Sequence, residues 1–339
     1  MWAFPAYGLE VCVNRPIHGL TVPEHGKRKD VQVWLDGVLP WPGERLDIEQ
    51  RVLYVSAYCD QHGKPALRVW EMGGGAYFRL AYLDGTEFLI DGSGTRVWAA
   101  WRDGATLEDT VSYLLGPVMG FVLRLRGITC LHASAVCVDG WAIALLGPPE
   151  AGKSTTAAAF AGLGYPALCD DIVALTAQEG IFLAQPGYPR LRLWPTSIDA
   201  LLKAESFPPN LVPTSRDRRY HLDLTQNGYR FQSQPLPLGS IYMLGERCSK
   251  AGVPYVEPLP GQSGLMNLVG NTYGSSLLDE KMRAKEFRQL GELMARVPLR
   301  RVYSHEDPAY LLRLCEVILD DLLALESCTP IAPEVKLPS

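Results

Sequence analysis

The sequence predicts an α/β protein in two parts, a β-rich module at the N-terminus and a larger α/β core built around a phosphate-binding loop. Three observations predict it. Up to about residue 100, short β-branched and aromatic runs alternate with Asp-Gly and Gly-rich turns. From about residue 126 the runs become near-continuously apolar, as in strands buried on both faces. Between one such run and an alanine-rich helix lies Gly147-Pro148-Pro149-Glu150-Ala151-Gly152-Lys153-Ser154, which fits G-x-x-x-x-G-K-[ST].

The expected division is 1–125 for the β-rich module with its linker helix, 126–326 for the core and 327–339 for a flexible tail. In the module, strands are expected at Asp30 to Leu35 (ending at the Asp36-Gly37 turn), Leu67 to Trp70, Tyr77 to Leu83, Thr86 to Ile90 and Thr95 to Trp101. Their spacing predicts antiparallel pairing. Thr106 with Asp109 three residues on marks a helix start, and that helix is expected to run from 107 to 126 through the Gly116-Pro117 interruption.

In the core, Ile128 to Val138 reads as one apolar strand, Asp139-Gly140 as a turn and Trp141 to Leu146 as a second buried strand. Lys153 to Leu163 reads as a helix stopped by Gly164, and Pro166 to Cys169 as the next strand, ending at Asp170-Asp171. Asp307-Pro308 opens a last helix reaching about Ala324, with Leu311, Leu314, Cys315, Ile318 and Leu322 on its buried face.

Composition excludes several classes. The chain has 339 residues, 47% apolar and 20% charged, an ordinary globular make-up. Its 32 basic and 37 acidic residues give −5 without a long basic run, which argues against nucleic acid as a partner. The most apolar central stretch, 114–123, is interrupted by Gly116, Pro117 and Gly120 and falls short of the roughly 20 residues a bilayer span needs. The N-terminus lacks the charged and apolar regions of a signal peptide, so no membrane partner and a cytoplasmic location are expected. The eight cysteines form no Cys-x-x-Cys pair and read as reduced, structural thiols.

The loop carries the chemistry. Its glycines let backbone N–H groups turn inward as an anion nest at a helix start, involving Gly147, Glu150, Ala151, Gly152, Lys153, Ser154 and Thr155. Lys153 is expected to reach the β- and γ-phosphates of a nucleoside triphosphate, and the Ser154 hydroxyl to ligate Mg²⁺. Asp170 and Asp171 follow after one helix and one return strand, which brings both carboxylates to the mouth of the loop. One of them can help hold the metal and the other can accept a hydroxyl proton; adjacent acids are not told apart by sequence. Ser154 with Asp170 is the expected metal pair, and Asp171 or Asp170 the expected base. His132, in Leu131-His132-Ala133-Ser134, lies on the same sheet, whereas His18, His25, His62 and His305 sit in polar loops that need no function. Arg190 and Arg192 have strand spacing and share a side, suited to a phosphate or carboxylate. A second basic group, Arg216-Asp217-Arg218-Arg219, offers Arg218 and Arg219 to the γ-phosphate.

Together Leu131-His132-Ala133, Gly147 to Ser154 and Asp170-Asp171 resemble the kinase domain of HPr kinase/phosphorylase, a bacterial protein-serine kinase whose core is similar to phosphoenolpyruvate carboxykinase. The resemblance covers about residues 128 to 325. It implies a P-loop kinase core of the HPr kinase/PEP carboxykinase type, with His132 and both acids in the active site. Where that family carries a glycine-rich signature, this chain has Pro186-Gly187-Tyr188-Pro189-Arg190-Leu191-Arg192-Leu193-Trp194-Pro195, and Thr155 stands where a glutamate is usual. The Pro186 segment looks more like the divergent kinases of peptide natural-product pathways, among them those that phosphorylate the C-terminal serine of lasso-peptide precursors. The expectation is an ATP- and Mg²⁺-dependent serine kinase acting on a peptide or small protein. HPr-type relatives form rings of six, which leaves a homo-oligomer open. A small-molecule kinase on the same core and a non-catalytic nucleotide sensor are the alternatives.

Overall fold

A computed structural model describes residues 1–23, 26, 28–35, 49–102, 104–204, 211–213 and 219–328. The expected Asp36-Gly37 turn, His25, Arg216, Asp217, Arg218 and the tail from 329 lie outside the described residues. The chain is mixed α/β with two large sheets.

The first sheet has nine strands: β1 (Trp2–Ala6), β2 (Leu9–Val13), β3 (Val22–Pro23), β4 (Val31–Leu35), β5 (Gln50–Val55), β6 (Leu67–Met72), β7 (Tyr77–Tyr82), β8 (Glu87–Asp91) and β9 (Arg96–Ala100). Their order is β3-β1-β2-β4-β9-β8-β7-β6-β5. Alternation sets the faces: in β4, Val31, Val33 and Leu35 are buried while Gln32 and Trp34 face outward. The antiparallel expectation holds except at β4, which pairs parallel with both β2 and β9. One-sided alternation looks the same in either pairing, so the sequence could not reveal this.

Next come α1 (Leu107–Tyr113), a π-helical turn at Leu114–Val118 and α2 (Met119–Leu125). Thr106 and Asp109 form the expected capping box. Pro117 lies inside the π-turn, where one extra residue per turn accommodates the proline that a straight α-helix would not.

The second sheet holds β10 (Thr129–Leu131), β11 (Ala133–Val138), β12 (Trp141–Leu146), β13 (Ala167–Cys169), β14 (Val173–Gln178) and β15 (Ile181–Ala184). With α3 (Lys153–Gly162) between β12 and β13, the chain then runs through β16 (Arg190–Leu193), α4 (Pro195–Lys203), β17 (Leu211–Pro213) and β18 (Tyr220–Asp223). It ends with β19 (Leu236–Cys248), β20 (Tyr255–Pro258), α5 (Gly261–Gly270), α6 (Glu280–Met294), β21 (Leu299–His305) and α7 (Leu311–Cys328). The sheet order is β10-β14-β15-β19-β12-β11-β13, with β21 beside β19 and β20 beside β21; β16, β18 and β17 form a small third sheet. β19 pairs parallel with β12 and with β21.

The strand expected over Ile128 to Val138 is two strands. β10 pairs with β14 and β11 with β12, and His132 sits at the break, its N–H donating to Asn271 O at 2.7 Å. An unbroken apolar run hides such a switch of partner, because both halves are buried. The last helix keeps its expected apolar face, with Leu311, Leu314, Cys315, Ile318 and Leu322 all buried, and runs on to Cys328.

One face of the second sheet packs Val136, Ile143 and Leu145 against Ala157 and Phe160 of α3 and Ile318 of α7. The other face belongs to a core continuous with the first sheet, from Val33 and Val97 through Leu115, Val118 and Phe121 to Cys130, Ala144 and Ile241. The α1–α2 segment is thus clamped between the sheets. Among the described residues, no helix is long and apolar enough to cross a membrane.

Candidate active site

β12 feeds the loop directly. Gly147 leaves the strand at φ 155°, where a Cβ would meet Leu244 O at 2.8 Å, and Gly152 enters α3 at φ 99° in the left-handed region. Glu150 also takes a left-handed φ of 66°. Lys153 is buried at 7% exposure, and its Nζ donates to Gly147 O (2.9 Å) and Pro148 O (3.0 Å). Burial pulls its pKa below the ordinary lysine value, and Asp171 and Asp170 pull the other way.

Ser154, one residue into α3, donates its hydroxyl to Asp170 Oδ1 at 2.8 Å. The buried Ser134 of β11 donates to the same oxygen at 2.6 Å, and the Arg192 backbone N–H donates to Oδ2 at 2.8 Å. Asp170 is 3% exposed; burial, then the neighbouring Asp171 charge, raises its pKa against these hydrogen bonds. Asp171 takes a φ of 62°, uncommon for a residue with a side chain, and the chain turns tightly there, Ile172 N donating to Asp170 O at 2.7 Å. That turn aims the two adjacent acids differently: Asp170 inward to the serines, Asp171 toward a cavity, with Asp171 Oδ2 3.2 Å from Arg192 Nη1.

The cavity has a volume of about 390 Å³. His132, Asp171, Arg192, Arg219 and Tyr273 line it from the core, and Tyr82, Asp109, Ser112, Tyr113 and Pro117 from the first sheet and the linker. His132 meets Tyr273 edge-on at 5.7 Å, and burial followed by Lys153 lowers its pKa, which favours the neutral imidazole.

The other expected site residues fall as follows. Arg219 lines the cavity with its guanidinium over the Trp194 ring at 4.2 Å. Arg190 shares the side of β16 with Arg192 but reaches the N-terminal part, donating to His18 O. It does not line the cavity. Thr155 donates its hydroxyl to Ser197 Oγ at 2.8 Å and so ties α3 to α4.

Sequence reasoning missed four residues. Ser134 lies two residues after His132, and alternation from a buried strand could have flagged it. Arg247 comes from β19, donating Nη2 to Glu150 O at 3.3 Å, and sits at the rim of the loop. Its approach follows from β12–β19 pairing, which no local signal encodes. Tyr82 and Tyr273 likewise arrive from distant elements.

The donor set at the start of α3, one hydroxyl and one carboxylate, is of hard oxygens that suit magnesium. No group of three or more His, Cys, Asp and Glu that could hold a metal occurs among the described residues.

No protein-family model matches the sequence, and no curated protein matches it. Among solved structures, the chain is similar to the Hpr(Ser) kinase/phosphatase from Coxiella burnetii at 9% identity and a TM-score of 0.31, over 59% of this chain and 93% of that one. A likeness that low carries no weight.

Proposed function

We propose that the protein is an ATP- and Mg²⁺-dependent phosphotransferase that moves the γ-phosphate to a serine hydroxyl of a peptide or small protein. The observation that carries this is the Ser154–Asp170 contact at 2.8 Å directly after the glycine loop, with Asp171 turned to an open cavity next to it. The Pro186 to Trp194 segment favours a precursor peptide of the lasso type as the acceptor. Residues 126–326 hold the phosphate chemistry and 1–125 the recognition surface.

In this reading the loop amides of Glu150 to Ser154 and Lys153 hold the phosphates of ATP, Lys153 exchanging its contacts with Gly147 O and Pro148 O for phosphate oxygens. Ser154 and Asp170 would hold magnesium, which when bound neutralises charge on the phosphates. Asp171 accepts the proton of the serine hydroxyl; the serine oxygen bonds to the γ-phosphorus, the bond to the β–γ bridging oxygen breaks, and ADP leaves. Asp170 is buried and turned to Ser134, Ser154 and the Arg192 N–H rather than to the cavity, so Asp171 is the better placed of the two as base. Arg192 and Arg219, on the cavity wall, stabilise the charge that develops on the transferring group.

The test is titration calorimetry of Mg·ATP into the full chain and its Lys153→Ala variant. Binding by the wild type, weakened roughly 10-fold or more in the variant, is expected from the loss of a charged hydrogen bond of about 1.5–3 kcal/mol. Absence of binding to the wild type removes the reading.

A further inference from the structure

The cavity beside Asp171 is only half made by the phosphate-binding core. Its remaining wall comes from β7, through Tyr82, and from the linker, through Asp109, Ser112, Tyr113 and Pro117. One feature suits a ligand there. Tyr82 and Tyr113 stack at 3.9 Å between centroids and 18° between planes, and the Tyr113 hydroxyl is tied down by donating to Asp84 Oδ2 at 3.1 Å. Tyr82 is 8% exposed, yet its buried hydroxyl finds no hydrogen-bond partner among the described residues. That hydroxyl is shut off from the cavity, so the tyrosine ring rather than its polar end forms the wall. Around it the linker is held close to the core: a Cβ on Gly116 would lie 3.3 Å from Arg192 Nη1, and one on Gly120 only 2.2 Å from Tyr273 Cε1.

Resting on the phosphotransfer reading above, we propose that this cavity is the acceptor pocket and that the N-terminal part selects the acceptor. The pocket takes a compact hydroxyl compound with a flat or apolar body, one or two amino-acid units in size. A volume of about 390 Å³ is at the small end for ligand sites and encloses a unit of that size, not the surface of a folded protein. The hydroxyl lies at Asp171, the body against the tyrosine stack, and any negative charge toward Arg192 and Arg219. The unit comes either from a free molecule or from the terminus of a short peptide.

The experiment uses the full chain with γ-labelled Mg·ATP and three probes: free L-serine, the tripeptide Gly-Phe-Ser, and folded lysozyme. Label is expected on the first or the second, which tells the two sources apart, and not on the third. Ser112→Trp, at a partly exposed helix position facing the cavity, is expected to cut that labelling at least 10-fold while ATP affinity by calorimetry stays within about twofold. ATP binding with neither serine probe labelled, label on lysozyme alone, or full transfer by Ser112→Trp overturns the pocket assignment and leaves the nucleotide site standing. Failure of the wild type to bind ATP overturns the phosphotransfer reading itself.

Discussion

Arg192 grips both halves of the acid pair, but Asp171 through its side chain: Nη1 lies 3.2 Å from Asp171 Oδ2, while the backbone N–H of the same residue serves Asp170. Strand β16 therefore fixes the pair from outside the sheet that carries it. Arg192→Lys keeps the backbone contact and the charge but loses the planar fork. Phosphate transfer is expected to fall roughly 10- to 100-fold, the effect of a charged hydrogen bond of about 1.5–3 kcal/mol, with ATP affinity nearly unchanged. Steady-state kinetics alongside calorimetry check this split.

His132 makes stability pH-dependent. Burial and Lys153 lower its pKa in the folded chain, against the pull of Asp171, so the folded state binds its proton less readily than the unfolded state does. Its contribution is present above the ordinary value of 6.5 and is lost as pH falls from there through the lowered folded value. One proton sets a ceiling of about 1.4 kcal/mol per pH unit. Urea denaturation between pH 7.5 and about 5 is expected to show this slope in the wild type and a flatter one in His132→Phe.

Arg124 of α2 and Glu286 of α6 form a buried ion pair, with side chains 4% and 9% exposed, and Arg124 Nη1 also donates to Ile128 O at 3.0 Å. Burial raises the Glu286 pKa and Arg124 draws it back. Glu286→Gln leaves the arginine buried without its counter-charge, which costs about 3–5 kcal/mol. Denaturant midpoints at pH 7 measure it, and the loop chemistry is expected to survive in the fraction that stays folded.

Gly120 permits a close approach rather than a turn. With Tyr273 Cε1 2.2 Å from where its Cβ would be, Gly120→Ala must displace that ring, which lines the cavity and abuts His132. A loss of about 1–3 kcal/mol in stability is expected from overpacking, together with a higher acceptor KM at unchanged ATP affinity. A crystal structure of the variant would show the moved ring.

Local constraints were legible in the sequence and long-range ones were not. The glycine loop could be read because its left-handed and close-packed positions restrict residue type, and so could the Thr106–Asp109 cap and the Asp139-Gly140 turn. The break at His132 could not, since β10 and β11 are equally apolar although they pair with different strands. Arg190 and Arg192 read alike because they share a strand face; only the packing of the N-terminal part separates them, drawing Arg190 to His18 O. The cavity was beyond reach altogether, since Tyr82, Ser112, His132 and Tyr273 meet only in three dimensions. Gly116 and Gly120 read as interruptions of a helix, when their work is to let that helix lie against Arg192 and Tyr273.

In the proposed reaction Asp171 is the base of a phosphoryl transfer whose nucleotide sits on the loop before it. The measurement that tests it most directly is γ-phosphate transfer by Asp171→Asn, with Mg·ATP affinity measured on the same preparation. Removal of a general base predicts a fall of about 10²- to 10⁴-fold in transfer with ATP affinity within a few-fold of wild type. Transfer at the wild-type rate by Asp171→Asn would contradict the account.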